Sequence, residues 1–229
     1  MQMIAGLALS AVISRPGLPY FSADGAGTRS VSLSARVVLE VVSADSSWTG
    51  AGESHYYSVD GLRMVSEAGA DTIAWIADLP AQALASARAA GSIMSEETRT
   101  LRILACTGSY VGGRITVRSE RDGRRTSYYE ALRTWLLSGV PLDLESVVQT
   151  DSVFTAELRA ALDAPSSADL DVWLWSRGHW LDPQSFVIWM DDGSPLLRMG
   201  LPSWTGTDSL LIVELDLARL NTAHGAMLD

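Results

Sequence analysis

Two pairs of carboxylates carry spacings that acid–base chemistry can use. Asp191 and Asp192 are adjacent, and Glu214 and Asp216 stand two apart in "LLIVELDL". Two carboxylates on one strand face can hold a cation or divide acid and base roles in a hydrolysis. A plainer role competes in each case. Asp191-Asp192 precedes Gly193 in a segment that reads as a turn, where aspartate serves local hydrogen bonds. Glu214 and Asp216 read as a solvent-facing strand edge.

Other chemistries are poorly provided for. The histidines His55, His179 and His224 show neither H-x-x-x-H nor H-E-x-x-H spacing. Ser54 adjoins His55, but strand neighbours point to opposite faces. The one cysteine, Cys106, lies in the apolar run "LRILACT" and reads as a buried, inert thiol. All 17 basic residues are arginine. Without lysine, neither a phosphate-loop lysine nor a Schiff base can form. No cofactor and no metal are expected.

Tryptophan is the more informative residue. "DVWLWSRGHWLDPQSFVIW", residues 171–189, holds four of the chain's 8 tryptophans. Read as strands, its "DVWLWS" and "SFVIWM" pieces are apolar on both faces. Aromatic residues and arginine concentrate at protein interfaces, so Trp173, Trp175, Trp180, Trp189 and Arg177 are the expected interface residues. A two-sided core is the first competing reading. A sugar-binding platform is the second, and it needs Trp173 and Trp175 exposed beside polar groups.

Bulk properties narrow the partners. A net charge of −10 leaves few cations to displace counterions from phosphates, so no nucleic-acid partner is expected. The one basic run, Arg118, Arg121, Arg124 and Arg125, is interrupted by Glu120 and Asp122 and reads as a solvated turn. The apolar run at residues 3–13 is too short to span a bilayer and lacks the basic flank of a signal peptide. It reads as a strand in a protein made in the cytoplasm, with no membrane partner.

The positioning elements follow from periodicity. "SVSLSARVVLEVV", residues 30–42, alternates as one long strand, with Val31, Leu33, Ala35, Val37, Leu39 and Val41 on one face. Asp60-Gly61 predicts a tight hairpin turn, and "DTIAWIADL" another strand. A short alanine-rich helix is expected from Asp78 to Ala90. "LRILACTGSYVGGRITVRSERDG" is strand-like, with a bend at Gly112-Gly113. Ser127 and Glu130 read as a capping box for a helix whose stripe is Tyr129, Leu132, Trp135 and Leu136. A second helix spans about 152–163. "APSSAD", residues 164–169, is a candidate linker. Strands then resume, with a hairpin at Asp192-Gly193 and a last strand in "DSLLIVELDLARL".

Strands, then helices, then strands argue for an α+β fold. It is β-rich and mainly antiparallel, sandwich- or barrel-like, with two or three short helices in the middle of the chain. The expected organisation is a β-rich α+β domain at 1–164 and a Trp-rich β segment at 165–229, packed as one compact unit. The functional expectation is a non-enzymatic structural subunit of a larger protein assembly, of the kind found in bacteriophage tails or baseplates, with other subunits or further copies as partners. The alternatives are a carbohydrate-binding module and a hydrolase with a carboxylate pair.

Overall fold

The computed structural model describes residues 21–22, 27–34, 37–50, 53–66, 72–79, 96–106, 110–121, 124–191, 194–205 and 210–223. The strand expected at 3–13, the helix expected beyond Leu79, the Asp192-Gly193 turn and His224 lie outside these residues.

The fold is α+β, β-rich and mainly antiparallel. The large sheet contains β1 (Phe21–Ser22), β2 (Ser30–Ser34), β3 (Val37–Gly50), β4 (Glu53–Ser66), β5 (Thr72–Ala77), β6 (Glu96–Cys106), β7 (Tyr110–Arg121) and β8 (Arg124–Leu136). Its spatial order is β2-β3-β4-β6-β7-β8, with β1 on β6 and β5 on β4. β4 and β6 run parallel over Tyr56–Val59, while the other pairs are antiparallel. One edge of β6 is shared. Its first half pairs with β4, and its second half takes Thr28 and β1. Strands β9 (Phe186–Asp191), β10 (Ser194–Leu201) and β11 (Leu211–Asp216) make a second, three-stranded sheet. Among the described residues the α-helices of a turn or more are α1 (Ser152–Ala161), α2 (Leu170–Ser176) and α3 (Leu217–Ala223).

The layers follow from which residues are apolar. Odd positions of β6 and β7, including Leu101, Ile103 and Val111, join Leu39, Leu62, Ile76 and Trp135 on the inner face of the large sheet. On its outer face Leu104, Ala105 and Leu132 meet Val187 and Trp189 of β9. Phe186 and Ile188, on the other side of β9, join Leu197, Met199, Val213 and Leu215 against Phe154, Leu158 and Leu174 of the helices. β9 is therefore covered on both faces, as its apolar composition requires. Gly112 permits the sheet contact, since a Cβ there would stand 2.5 Å from Val187 Cγ1.

Four local expectations are corrected. The segment 30–42 is two strands, β2 and β3, which pair antiparallel with Ser34 opposite Val37. The alternation hid the turn because Val31, Leu39 and Val41 are buried whether the chain is straight or folded back. Asp60-Gly61 lies inside β4, and the hairpin closes where Gly50 pairs Glu53. Asp60 is buried in the strand because Arg29, Ser43 and the Leu101 N–H all bind its carboxylate. Residues 127–136 belong to strand β8 rather than a capped helix. Glu130 is the buried partner of Arg114 on β7, and Tyr128, Tyr129, Thr134 and Trp135 suit a pleated surface. "DVWLWS" is helix α2, and the last strand stops at Asp216, where α3 begins.

Candidate functional site

Helix α2 exists because Asp169 caps it, accepting the N–H groups of Asp171 and Val172 at 3.0 and 3.1 Å. Leu170, Trp173 and Leu174, at helical spacing, pack on the helix-side core. That register turns Val172 and Trp175 outward, 66 % and 58 % exposed. The helix ends at Gly178, with φ +85°, where a Cβ would lie 2.7 Å from Thr205 Cγ2. Glycine thus brings the 202–205 segment alongside. Trp180 N–H donates to Pro202 O, Trp204 N–H to Gly178 O, and His179 Nδ1 lies 3.1 Å from Leu201 O.

These bonds place Trp204 on Trp175. The rings stack with centroids 4.8 Å apart and planes 17° apart, and Trp204 Nε1 donates to Trp175 O at 3.1 Å. Trp204 is itself 48 % exposed. The result is a fixed aromatic surface, Val172–Trp175–Trp204, standing in solvent.

The other sequence-selected residues separate. Trp173 is half-buried, with the Arg177 guanidinium carbon 5.2 Å from its ring centre. Trp180 stacks on Tyr129 of β8, centroids 6.0 Å apart. Tyr129 OH donates to Asp182 at 3.0 Å, and Arg133 bridges both. Burial pushes the Tyr129 phenol pKa up, and Asp182 adds to this while Arg133 opposes it. Trp189 is core, and Arg198 lies 3.8 Å above its ring. The expected interface set is thus divided among a surface, a loop contact and the interior.

The carboxylates have structural partners. Glu214 and Asp216 share the exposed face of β11. Glu214 pairs with Arg198, directly opposite on β10, and Asp216 accepts the Arg219 N–H at 2.9 Å at the start of α3. Asp191 ends β9. His55 lies within β4, and Cys106 is buried. Among the described residues no group of three His, Cys, Asp or Glu side chains is placed to hold a metal, and no helix is long and apolar enough to cross a membrane.

Sequence reasoning passes over Trp204. Its signal is a tryptophan in "PSWTG" with no periodic apolar neighbours to draw it into a core.

No family model matches the chain, and no curated protein matches its sequence. Among solved structures it is similar to a DUF3298 family protein from Pseudomonas aeruginosa PAO1. That match has a TM-score of 0.44 and 14% identity, and covers 80% of this chain and 92% of that one. A DUF3298 family member from Bacteroides fragilis gives a TM-score of 0.42 at 11% identity, over 82% of this chain and 97% of that one.

Proposed function

We propose that this chain is a non-enzymatic subunit of a larger protein assembly and that Val172, Trp175 and Trp204 form the surface it presents to another subunit. A phage tail or baseplate, which the composition first suggested, is one such assembly. The reading rests on one observation: two stacked, half-exposed indoles beside an exposed valine, tied down by backbone bonds. Fixing two large aromatics in advance removes ordering cost from the binding step, and tryptophan is among the residues that dominate binding energy. The roles of Glu214 as ion-pair partner and Asp216 as cap support the non-enzymatic half of the proposal.

The test replaces Trp175 and Trp204 together by serine and follows size by light scattering and fold by melting temperature. The proposal expects loss of association, on the order of tenfold or more for each indole removed, with melting little changed. A wild-type chain that never associates, alone or with co-expressed subunits, overturns it. Loss of binding to immobilised glycans, with association unchanged, favours the carbohydrate-binding alternative.

A further inference from the structure

The Trp175–Trp204 stack stands beside an acidic stretch. From Asp163 to Ser176 the chain holds three aspartates and no arginine. Asp169 is engaged in the α2 cap, where its carboxylate takes two backbone N–H groups. Asp171 is exposed, and its carboxylate has no ion-pair or hydrogen-bond partner among the described residues. Asp171 and Trp175 stand four apart in α2, the spacing of neighbours on one helix face. A long helical side chain also leans toward the helix N-terminus, over the preceding turn. A free carboxylate therefore borders the exposed indoles.

Elsewhere the chain covers such rings with its own arginines. The Arg177 guanidinium carbon lies 5.2 Å from the Trp173 ring centre, that of Arg198 3.8 Å from Trp189, and that of Arg118 5.6 Å from Tyr128. Among the described residues no arginine lies over Trp175 or Trp204. Arg177 is two positions from Trp175 but is turned to Trp173, one helical turn back. Within the stack each indole covers one face of the other, which leaves the second face of each. An indole face is the negative side of the ring quadrupole and attracts a cation.

We propose that the Trp175–Trp204 surface takes an arginine side chain from a basic segment of the partner protein, the guanidinium lying flat on an indole with its edge donating to Asp171. The assignment rests on reading this surface as a subunit-binding face, and it names what the other subunit brings there. Arginine fits both halves of the site, since its plane stacks on an aromatic ring while its fork of N–H groups meets a carboxylate. Lysine supplies the charge without the plane. An apolar side chain desolvates Asp171 and gives it no partner. Charge complementarity points the same way: a net charge of −10 draws basic segments toward the protein. The stack and Asp171 then fix where one seats.

The experiment titrates the protein into a fluorescently labelled (Gly-Arg)3 peptide and reads anisotropy, with (Gly-Lys)3 and (Gly-Leu)3 peptides for comparison. The expected result is saturable binding of the arginine peptide, tighter than the lysine peptide and weakened by salt. Trp204→Leu keeps apolar bulk, removes the ring and weakens binding about fivefold or more. Trp204→Phe, with a smaller aromatic face, falls between it and wild type. Asp171→Asn weakens binding about threefold or more. Glu96→Gln, the same charge change at the exposed start of β6, leaves it unchanged. Equal weakening by Glu96→Gln and Asp171→Asn, equal binding of the leucine peptide, or absent binding each overturns the proposal. The two readings fail separately. If the serine variant of Trp175 and Trp204 loses association while the arginine peptide shows none of this selectivity, the arginine assignment is wrong and the subunit surface stands. If the selectivity holds while the chain never associates, the arginine site stands and the subunit reading is overturned.

Discussion

The Asp60 carboxylate on β4 accepts the backbone N–H of Leu101 on β6 at 2.9 Å, one row beyond the last parallel pair, Val59–Arg99. Where the two strands part, a side chain continues the bonding that the backbone ladder gives up. Arg29 enters the same gap with a bidentate contact at 2.9 and 3.1 Å, and Ser43 Oγ donates at 2.6 Å.

Asp60→Ala therefore leaves a guanidinium, a hydroxyl and a buried N–H without their acceptor. Removing one partner of a buried pair costs about 3–5 kcal/mol. The low end applies, because the Arg29 side chain is 37% exposed. Asp60→Asn keeps the shape and one carbonyl acceptor and should cost less. Urea denaturation of the two variants checks the order.

Trp135 reaches the core from a strand rather than a helix, and its burial sets the expected loss. Trp135→Ala should lower stability by about 3–5 kcal/mol, measured in the same titration. A loss under about 1 kcal/mol is incompatible with packing against Val111 and Ile103.

Gly112 and Val187 are coupled through a single contact between the two sheets. Gly112→Ala alone should cost about 1–3 kcal/mol by overpacking. A Val187→Ala background removes the two Cγ atoms at 2.5 and 3.0 Å and leaves only Cβ at 3.2 Å, so Gly112→Ala should cost less there than in the wild type. A double-mutant cycle reads this as a non-additivity of at least about 0.5 kcal/mol.

Alkaline stability should depend on Tyr129. Its folded pKa is raised above the ordinary 10.0, first by burial. The unfolded chain thus releases this proton at lower pH than the folded one. The contribution is complete below pH 10 and is lost as pH rises from there through the folded pKa. No lysine titrates in that window, since the chain has none. Tyr129→Phe should flatten the fall in melting temperature above pH 10. At neutral pH it costs the hydrogen bond to Asp182 and the one from Arg133, together about 1–3 kcal/mol.

The fold class was legible because strand-forming runs recur at 30–42, 72–77, 186–191 and 211–216. Val31, Leu39 and Val41 are buried, 186–189 is buried on both faces as its two-sided apolar character implies, and Val213 and Leu215 alternate with exposed neighbours, although Ile73 and Trp75 are exposed. What sequence could not give was register along the chain. Asp60-Gly61 has turn chemistry, yet the aspartate's partners come from residues 29, 43 and 101, distances no local window spans. Ser127-x-x-Glu130 resembles a cap, yet Glu130 answers Arg114 on another strand. In "DVWLWS" residues 172–175 are apolar without interruption, so neither period is readable and the Asp169 cap decides. The aromatic surface was half legible: Trp175 came from its segment, while Trp204 joins it through the glycine turn at 178.

The outer border of β8 carries a further consequence. Its Leu132 N–H is given to Ser185 Oγ, its Leu136 N–H to Val140 O, and its Thr134 carbonyl takes the Leu142 N–H. An unpaired strand border is a template on which stray chains can stack and aggregate. Here the protein's own connecting loops occupy those groups. A misfolded neighbour that adds a strand over Leu132–Leu136 must first peel Ser185 and the turn at Val140 away, so that half of β8 is shielded from cross-chain pairing.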